Sequence, residues 1–164
     1  QQATVTVIPH ITMNGVQCSG QPVNFEFLVH PAPTVNQVQD VSLCENFYSP
    51  QFTFGGQFSG TQYSWYNDNT AIGLAASGLN TLNPFLAQNN SVGPIIGNIN
   101  VIPSIQYGNL NCFGSPMEFS ITINPQPQVV TPTNQVVCHG GQVSAINFTG
   151  PSTGTTYVWS NRKN

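Results

Sequence analysis

The sequence predicts an all-β fold made of tandem β-sandwich repeats. Three observations carry that expectation: an internal repeat of 94 residues, period-2 alternation of apolar and polar side chains, and almost no helical pattern.

The repeat is the strongest of the three. Residues 1–70 align without a gap onto residues 95–164, and 19 of the 70 positions are identical. Val7-Ile8-Pro9 returns as Val101-Ile102-Pro103, and Cys18-Ser19-Gly20 as Cys112-Phe113-Gly114. Pro31-Ala32-Pro33 becomes Pro125-Gln126-Pro127, Cys44 becomes Cys138, and Gly60-Thr61-Gln62-Tyr63-Ser64-Trp65 becomes Gly154-Thr155-Thr156-Tyr157-Val158-Trp159. The shared residues are those that set turns, cross-links and core. The two Pro-x-Pro segments are natural seams, because proline fixes φ, lacks a donor and makes a short extended connector. The expected division is 1–33 as the C-terminal part of one repeat, 34–127 as a complete repeat, and 128–164 as the N-terminal part of a third.

Strands follow from alternation. Val23, Phe25, Phe27 and Val29 form one apolar face, Phe52 and Phe54 a second, and Tyr63 with Trp65 a third. Ile99 and Val101 mark another strand, and Phe119, Ile121 and Ile123 alternate with Glu118, Ser120, Thr122 and Asn124. Only Ala71 to Ala76 hints at a helix, and Gly73 and Gly78 bracket it too closely for a stable one. About seven short strands with one central Trp fit an immunoglobulin-like sandwich. The expected core is Phe54, Tyr63, Trp65, Phe119 and Ile121, with Trp159 as the core Trp of the following copy.

Charge is scarce. Two Lys/Arg and five Asp/Glu make 4% of the chain, where a soluble domain ordinarily carries about 25%. Asn, Gln, Ser, Thr and Gly occupy the polar positions instead, which suits an extracellular protein. Arg162 and Lys163 cannot supply the phosphate neutralisation that nucleic-acid binding requires. No apolar run approaches the roughly 20 residues that span a bilayer. No signal peptide is recognisable, since Gln1 opens directly into a strand-like run.

Four cysteines in such a chain point to disulfides. Two pairings respect the repeat. One joins Cys44 to Cys112 within the complete repeat, leaving Cys18 and Cys138 to partners elsewhere; the other joins Cys18 to Cys44 and Cys112 to Cys138 across the seams. The first is preferred, because the second must reach across an extended connector and a strand on each side. Closing its 68-residue loop would stabilise the fold by about 4 kcal/mol in the chain-entropy model. A zinc site is disfavoured: there is no C-x-x-C pair, and only His139 adjoins a cysteine.

Catalysis needs clustered ionisable groups. Residues 34–127 hold only Asp40, Glu45, Asp68 and Glu118, with no His, Lys or Arg. These read as isolated solvated carboxylates rather than a glycosidase pair. Asn67-Asp68-Asn69 is the nearest approach to a calcium loop, and it aligns with Asn161-Arg162-Lys163, which cannot bind a cation. His10, His30 and His139 align with Ser104, Asn124 and Glu45, so they share no repeated task. Trp65 and Trp159 read as core rather than as sugar platforms. Asn89-Asn90-Ser91 and Asn147-Phe148-Thr149 match the N-glycosylation sequon, a short and weak pattern. No cofactor and no enzymatic activity are expected.

The whole chain resembles the PKD-like, immunoglobulin-like repeats of giant cell-surface proteins of Bacteroidota. The resemblance rests on Pro33-Thr34-Val35-Asn36 with Val41-Ser42-Leu43-Cys44, on Gly60 to Trp65, and on Asn67 to Gly78. It also rests on Cys112-Phe113-Gly114-Ser115-Pro116 followed by Phe119 to Pro125. Within it, Ile72-Gly73-Leu74-Ala75-Ala76-Ser77-Gly78 is the most specific piece. Glu45-Asn46-Phe47 departs from the family tendency toward a small residue and Gly, which His139-Gly140-Gly141 follows. The resemblance implies a long repetitive polypeptide exported by type IX secretion and held on the outer surface, with SprB-type gliding-motility adhesins as architectural relatives. It supplies no catalytic residues.

The expected function is therefore a structural or adhesive stalk whose partners are neighbouring repeats of the same chain. A polysaccharide-binding module using Phe47, Tyr48, Phe58, Tyr66 or Tyr107 is one alternative. A spacer array attached to a secreted enzyme is the other.

Overall fold

A computed structural model describes residues 1–162. The chain forms β1 (Gln2–Val7), β2 (His10–Met13), β3 (Val16–Ser19), β4 (Val23–Leu28), β5 (Val41–Cys44) and β6 (Phe52–Thr53). After these come β7 (Gln62–Asn67), a 3₁₀ turn (Thr70–Ile72), β8 (Ser77–Leu79), β9 (Thr81–Leu82), β10 (Ile95–Tyr107), β11 (Leu110–Phe113) and β12 (Met117–Asn124). No helix among the described residues is long and apolar enough to cross a membrane. The fold is all-β, as expected.

Residues 34–127 hold the packed core. Their main sheet has the order β5-β12-β10-β7-β8, with β11 added to the far end of β10. Neighbours are antiparallel except β5, which runs parallel to β12. One face of this sheet is apolar for the reason the alternation gave. Met117, Phe119, Ile121 and Ile123 on β12, and Ile99 and Val101 on β10, point inward and are buried.

A second layer covers that face. The short β6–β9 pair sets Phe52 opposite Leu82, and a Tyr48–Leu86 bridge accompanies it. The Phe52 ring lies 5.3 Å from that of Phe119, and Phe54 lies 6.3 Å from Tyr63. Two β layers with interdigitating side chains make a sandwich-like unit. Phe54, Tyr63, Trp65, Phe119 and Ile121 are all in this core.

Two local features shape the core. Trp65 donates its indole N–H to the Thr81 carbonyl at 3.2 Å, and Gly78 on β8 lies flat against the indole, where a Cβ would overlap the ring. The Ala71–Ala76 segment, too short for an α-helix, makes one 3₁₀ turn. Asn69 caps it by accepting the Ala71 N–H, and Gly73 ends it at φ 92°. The turn drives Ile72 fully into the core.

Pro103 sits inside the longest strand without breaking it. Its position falls between the β12 ladder, which ends at Val101, and the β11 ladder, which starts at Ser104. A residue with no N–H is tolerated where a ladder is interrupted. Gly114 closes the gap by donating to the Pro103 carbonyl at 2.9 Å.

Residues 1–33 form a sparser version of the same pattern. Val7 faces Val23 as Val101 faces Met117, and Ile11 faces Cys18 as Ile105 faces Cys112. The Gly20 N–H reaches the Pro9 carbonyl at 2.8 Å, matching Gly114 and Pro103. The covering layer is what differs. Phe25 and Phe27 are 45% and 55% exposed, whereas Phe119 and Ile121, at the matching positions, are 4% and 0% exposed.

Residues 128–162 carry turns but no strand. Trp159, expected in a core, is 72% exposed, against 5% for Trp65. The indole of Trp65 is covered by β8 and β9, and no described residue takes that place over Trp159. Lys163, aligned with Asn69, lies outside the described residues.

Trp65→Ala should cost about 3–5 kcal/mol in urea unfolding, and Trp159→Ala less than about 0.5 kcal/mol. Gly78→Ala should cost about 1–3 kcal/mol by overpacking the indole. Equal effects of the two Trp substitutions would contradict the assignment of the core.

Candidate functional site

The ionisable groups are dispersed and structurally employed. Asp40 accepts the Ser120 N–H at 2.7 Å, tying the approach to β5 onto β12. Glu45 accepts the Gln126 N–H at 3.1 Å, and Glu118 accepts from the Asn100 amide at 2.8 Å. On residues 1–33, Glu26 accepts from the Gln2 amide at 2.6 Å.

Asp68 joins the end of β7 to β10. It accepts the Asn98 side-chain amide at 2.8 Å and the Asn98 N–H at 2.7 Å. These two bonds, the side-chain one first, hold its pKa below the ordinary carboxylate value. No two of the carboxylates flank a cleft together. Among the described residues there is no cluster of three or more His, Cys, Asp or Glu with metal-binding geometry. His10 bonds Ser19 at 2.9 Å, and His30 stacks on Tyr107.

Buried asparagines organise the loops, a role that sequence reading missed. Asn67 is 7% exposed. Its amide donates to the carbonyls of Asn69 and Leu74, both at 3.1 Å, and its oxygen accepts the Asn69 N–H at 3.0 Å. Asn89 is 2% exposed and donates to Gly93 (2.9 Å) and Ile123 (2.8 Å). The Asn89 oxygen accepts from the N–H and hydroxyl of Ser91. Asn89 is thus no accessible glycosylation acceptor, since both amide hydrogens are engaged and the side chain is enclosed. Asn147 of the other sequon is exposed. The signal for these roles was the Asn-x-Asn and Asn-x-Ser spacing, in which a side-chain oxygen meets the N–H two residues on.

The cysteines do not pair as preferred. All four are free. Leu43, next to Cys44, faces Ile123, which faces Ile95, while Cys112 faces Ile105. Ten residues of β10 separate those positions, about 33 Å at ~3.3 Å per residue. A disulfide needs Cα atoms about 4.4–6.8 Å apart. Because β5 is parallel to β12, Cys44 lies where β12 ends, and the β10–β11 hairpin carries Cys112 to the opposite end. Cys18 lies at the matching hairpin position of residues 1–33, opposite Ile11.

The remaining feature is the contact at Pro31-Ala32-Pro33. His30 stacks on Tyr107 with ring centroids 4.0 Å apart and planes at 14°. Pro33 is fully buried, and a Cβ on Gly114 would overlap its carbonyl oxygen. The end of the β4 run is therefore seated against the β10–β11 hairpin. At the other connector, Asn46 donates to the Gln126 side chain at 3.0 Å.

The exposed aromatics form no single platform. Phe47 and Tyr48 follow β5, and Tyr66 lies on β7, three strands away across the sheet. No protein-family model matches the chain, and no curated protein matches it.

Asn89→Ala should cost about 1–3 kcal/mol, because the buried Ile123 carbonyl loses its donor. Asp68, with a lowered pKa in the folded state, contributes stability that is full above its unfolded pKa. That contribution is lost as pH falls through the folded value. Asp68→Asn should therefore lower the urea midpoint most at neutral pH and converge on the parent protein below about pH 4, which flattens the acid limb of the profile.

Proposed function

We propose that this chain is a segment of an extracellular, tandemly repeated β-sandwich stalk, with each immunoglobulin-like repeat spanning 94 residues. In this reading 34–127 is one complete repeat, 1–33 ends the repeat before it, and 128–164 begins the one after. The observation that carries the proposal is the recurrence of register. The ladder of residues 2–28 repeats, pair for pair, in residues 96–122. The Asn36 to Gly55 backbone bond at 2.7 Å likewise returns as Val130 to Thr149 at 2.8 Å.

The physical logic is that of a quasi-one-dimensional object whose units touch only their neighbours. Short Pro-x-Pro connectors and the His30–Tyr107 stack limit bending between units. The low charge makes the surface insensitive to salt, as suits a polymer outside the cell. The residues quoted for the resemblance to PKD-like repeats of surface adhesins agree with this role, and adhesion itself would reside at a tip or in weak contacts along the length. The dispersed, hydrogen-bonded carboxylates favour a stalk over a hydrolase.

Reading the coding sequence outward from both ends tests the proposal. The expected result is further 94-residue units that keep the Cys, Pro-x-Pro and Tyr-x-Trp positions. Two or three units beside a domain rich in His and carboxylates would overturn it, and make the chain a spacer of a secreted enzyme.

A further inference from the structure

We propose that successive repeats are stapled by a disulfide between the β5 cysteine of one repeat and the hairpin cysteine of the next. In the numbering of this chain, Cys44 would bond the residue that stands in the following repeat where Cys112 stands in this one. Cys112 would likewise bond the β5 cysteine of the repeat before. This inference rests on the tandem-repeat reading.

The geometry of the first connector points to that pairing. On β12, Glu118, Ser120, Thr122 and Asn124 alternate with the buried residues and face outward. Cys44 lies beside Asn124 in the parallel ladder and is exposed, so the two share the outer face about 5 Å apart. His30 occupies the Asn124 position one repeat earlier. The β5 cysteine of that repeat therefore belongs beside His30.

His30 stacks on Tyr107 of the following hairpin. Tyr107 faces Leu110, and Cys112 is the diagonal neighbour two residues on, about 7–8 Å away on the same face. The hairpin thus lays its Tyr107 and Cys112 face onto the outer face that carries His30 and the β5 cysteine. Both sulfur positions converge on one stacked ring pair. The same placement explains why the two cysteines of one repeat sit at opposite ends: each faces a different neighbour. Both β5 positions in this chain (Cys44 and Cys138) and both hairpin positions (Cys18 and Cys112) are cysteine.

The step is thiol–disulfide exchange. Two thiols give up two protons and two electrons to a low-molecular-weight or protein disulfide. One S–S bond forms between repeats while the oxidant's S–S bond breaks and yields two thiols.

The test keeps the full chain and completes its third repeat by adding a copy of residues 71–127 after Asn164. Leu110→Val in the added copy alone marks its peptide by mass. The protein is equilibrated with reduced and oxidised glutathione, alkylated, digested with chymotrypsin and mapped without reduction. One cross-link is expected, between Cys44 and the added copy of Cys112, with Cys18, native Cys112 and Cys138 alkylated. Cys44→Ser should abolish it. Fluorescence quenching of Trp159 reports separately whether the third repeat has closed. Closure with Cys44 alkylated, or bonded to Cys18 or native Cys112, overturns the staple and spares the repeat. A Trp159 as quenchable as in the original chain overturns both.

Discussion

Strand β10 carries the structure because its thirteen residues hydrogen-bond to three partners. Its first half pairs with β12 on one edge, its middle with β7 on the other, and its last four residues with β11. Hydrogen bonds alone do not make that arrangement stable, since an isolated two-stranded ladder is marginal in water. Stability comes from covering the apolar face with β6, β9 and the Ile72 turn. Residues 1–33 display the contrast within one molecule: the same ladder register, and apolar side chains left open.

The scarcity of charge has a structural counterpart. Polar work that ion pairs perform elsewhere falls here to carboxamides and backbone amides. Asn67 and Asn89 close loops from within, Asn69 caps the 3₁₀ turn, and each carboxylate accepts an amide hydrogen. Neutral donors lose less on desolvation than charged ones, so amides can be buried at loop bases where an ammonium could not. The result is a surface with few fixed charges and loops that are still held in place.

Much of this was legible in the sequence because it rests on periodicity. Phe119, Ile121 and Ile123 alternate, so their face followed directly, and Tyr63 and Trp65 fell in the core as their spacing required. The ladder shared by residues 2–28 and 96–122 falls where matched Val, Ile, Pro, Cys and Gly stand 94 residues apart. What depended on long-range topology was not legible. Nothing local in Val41 to Cys44 says that this strand runs parallel to β12, and that choice alone sends Cys44 and Cys112 to opposite ends. Trp159 failed for a related reason: an aromatic is core only when another segment covers it. Asn89 carried a sequon, and only the fold reveals that its amide faces inward.

Hydrogen exchange of backbone amides measures the dependence of the ladder on its covering layer most directly. Amides of Ile99 and Val101 on β10, which face β12, should be protected by orders of magnitude more than those of Val5 and Val7, which hold matching places in the β1–β4 ladder. Protection in the first set should approach the global unfolding limit. Equal protection in the two ladders would contradict the account, since it would mean that register without a second layer suffices.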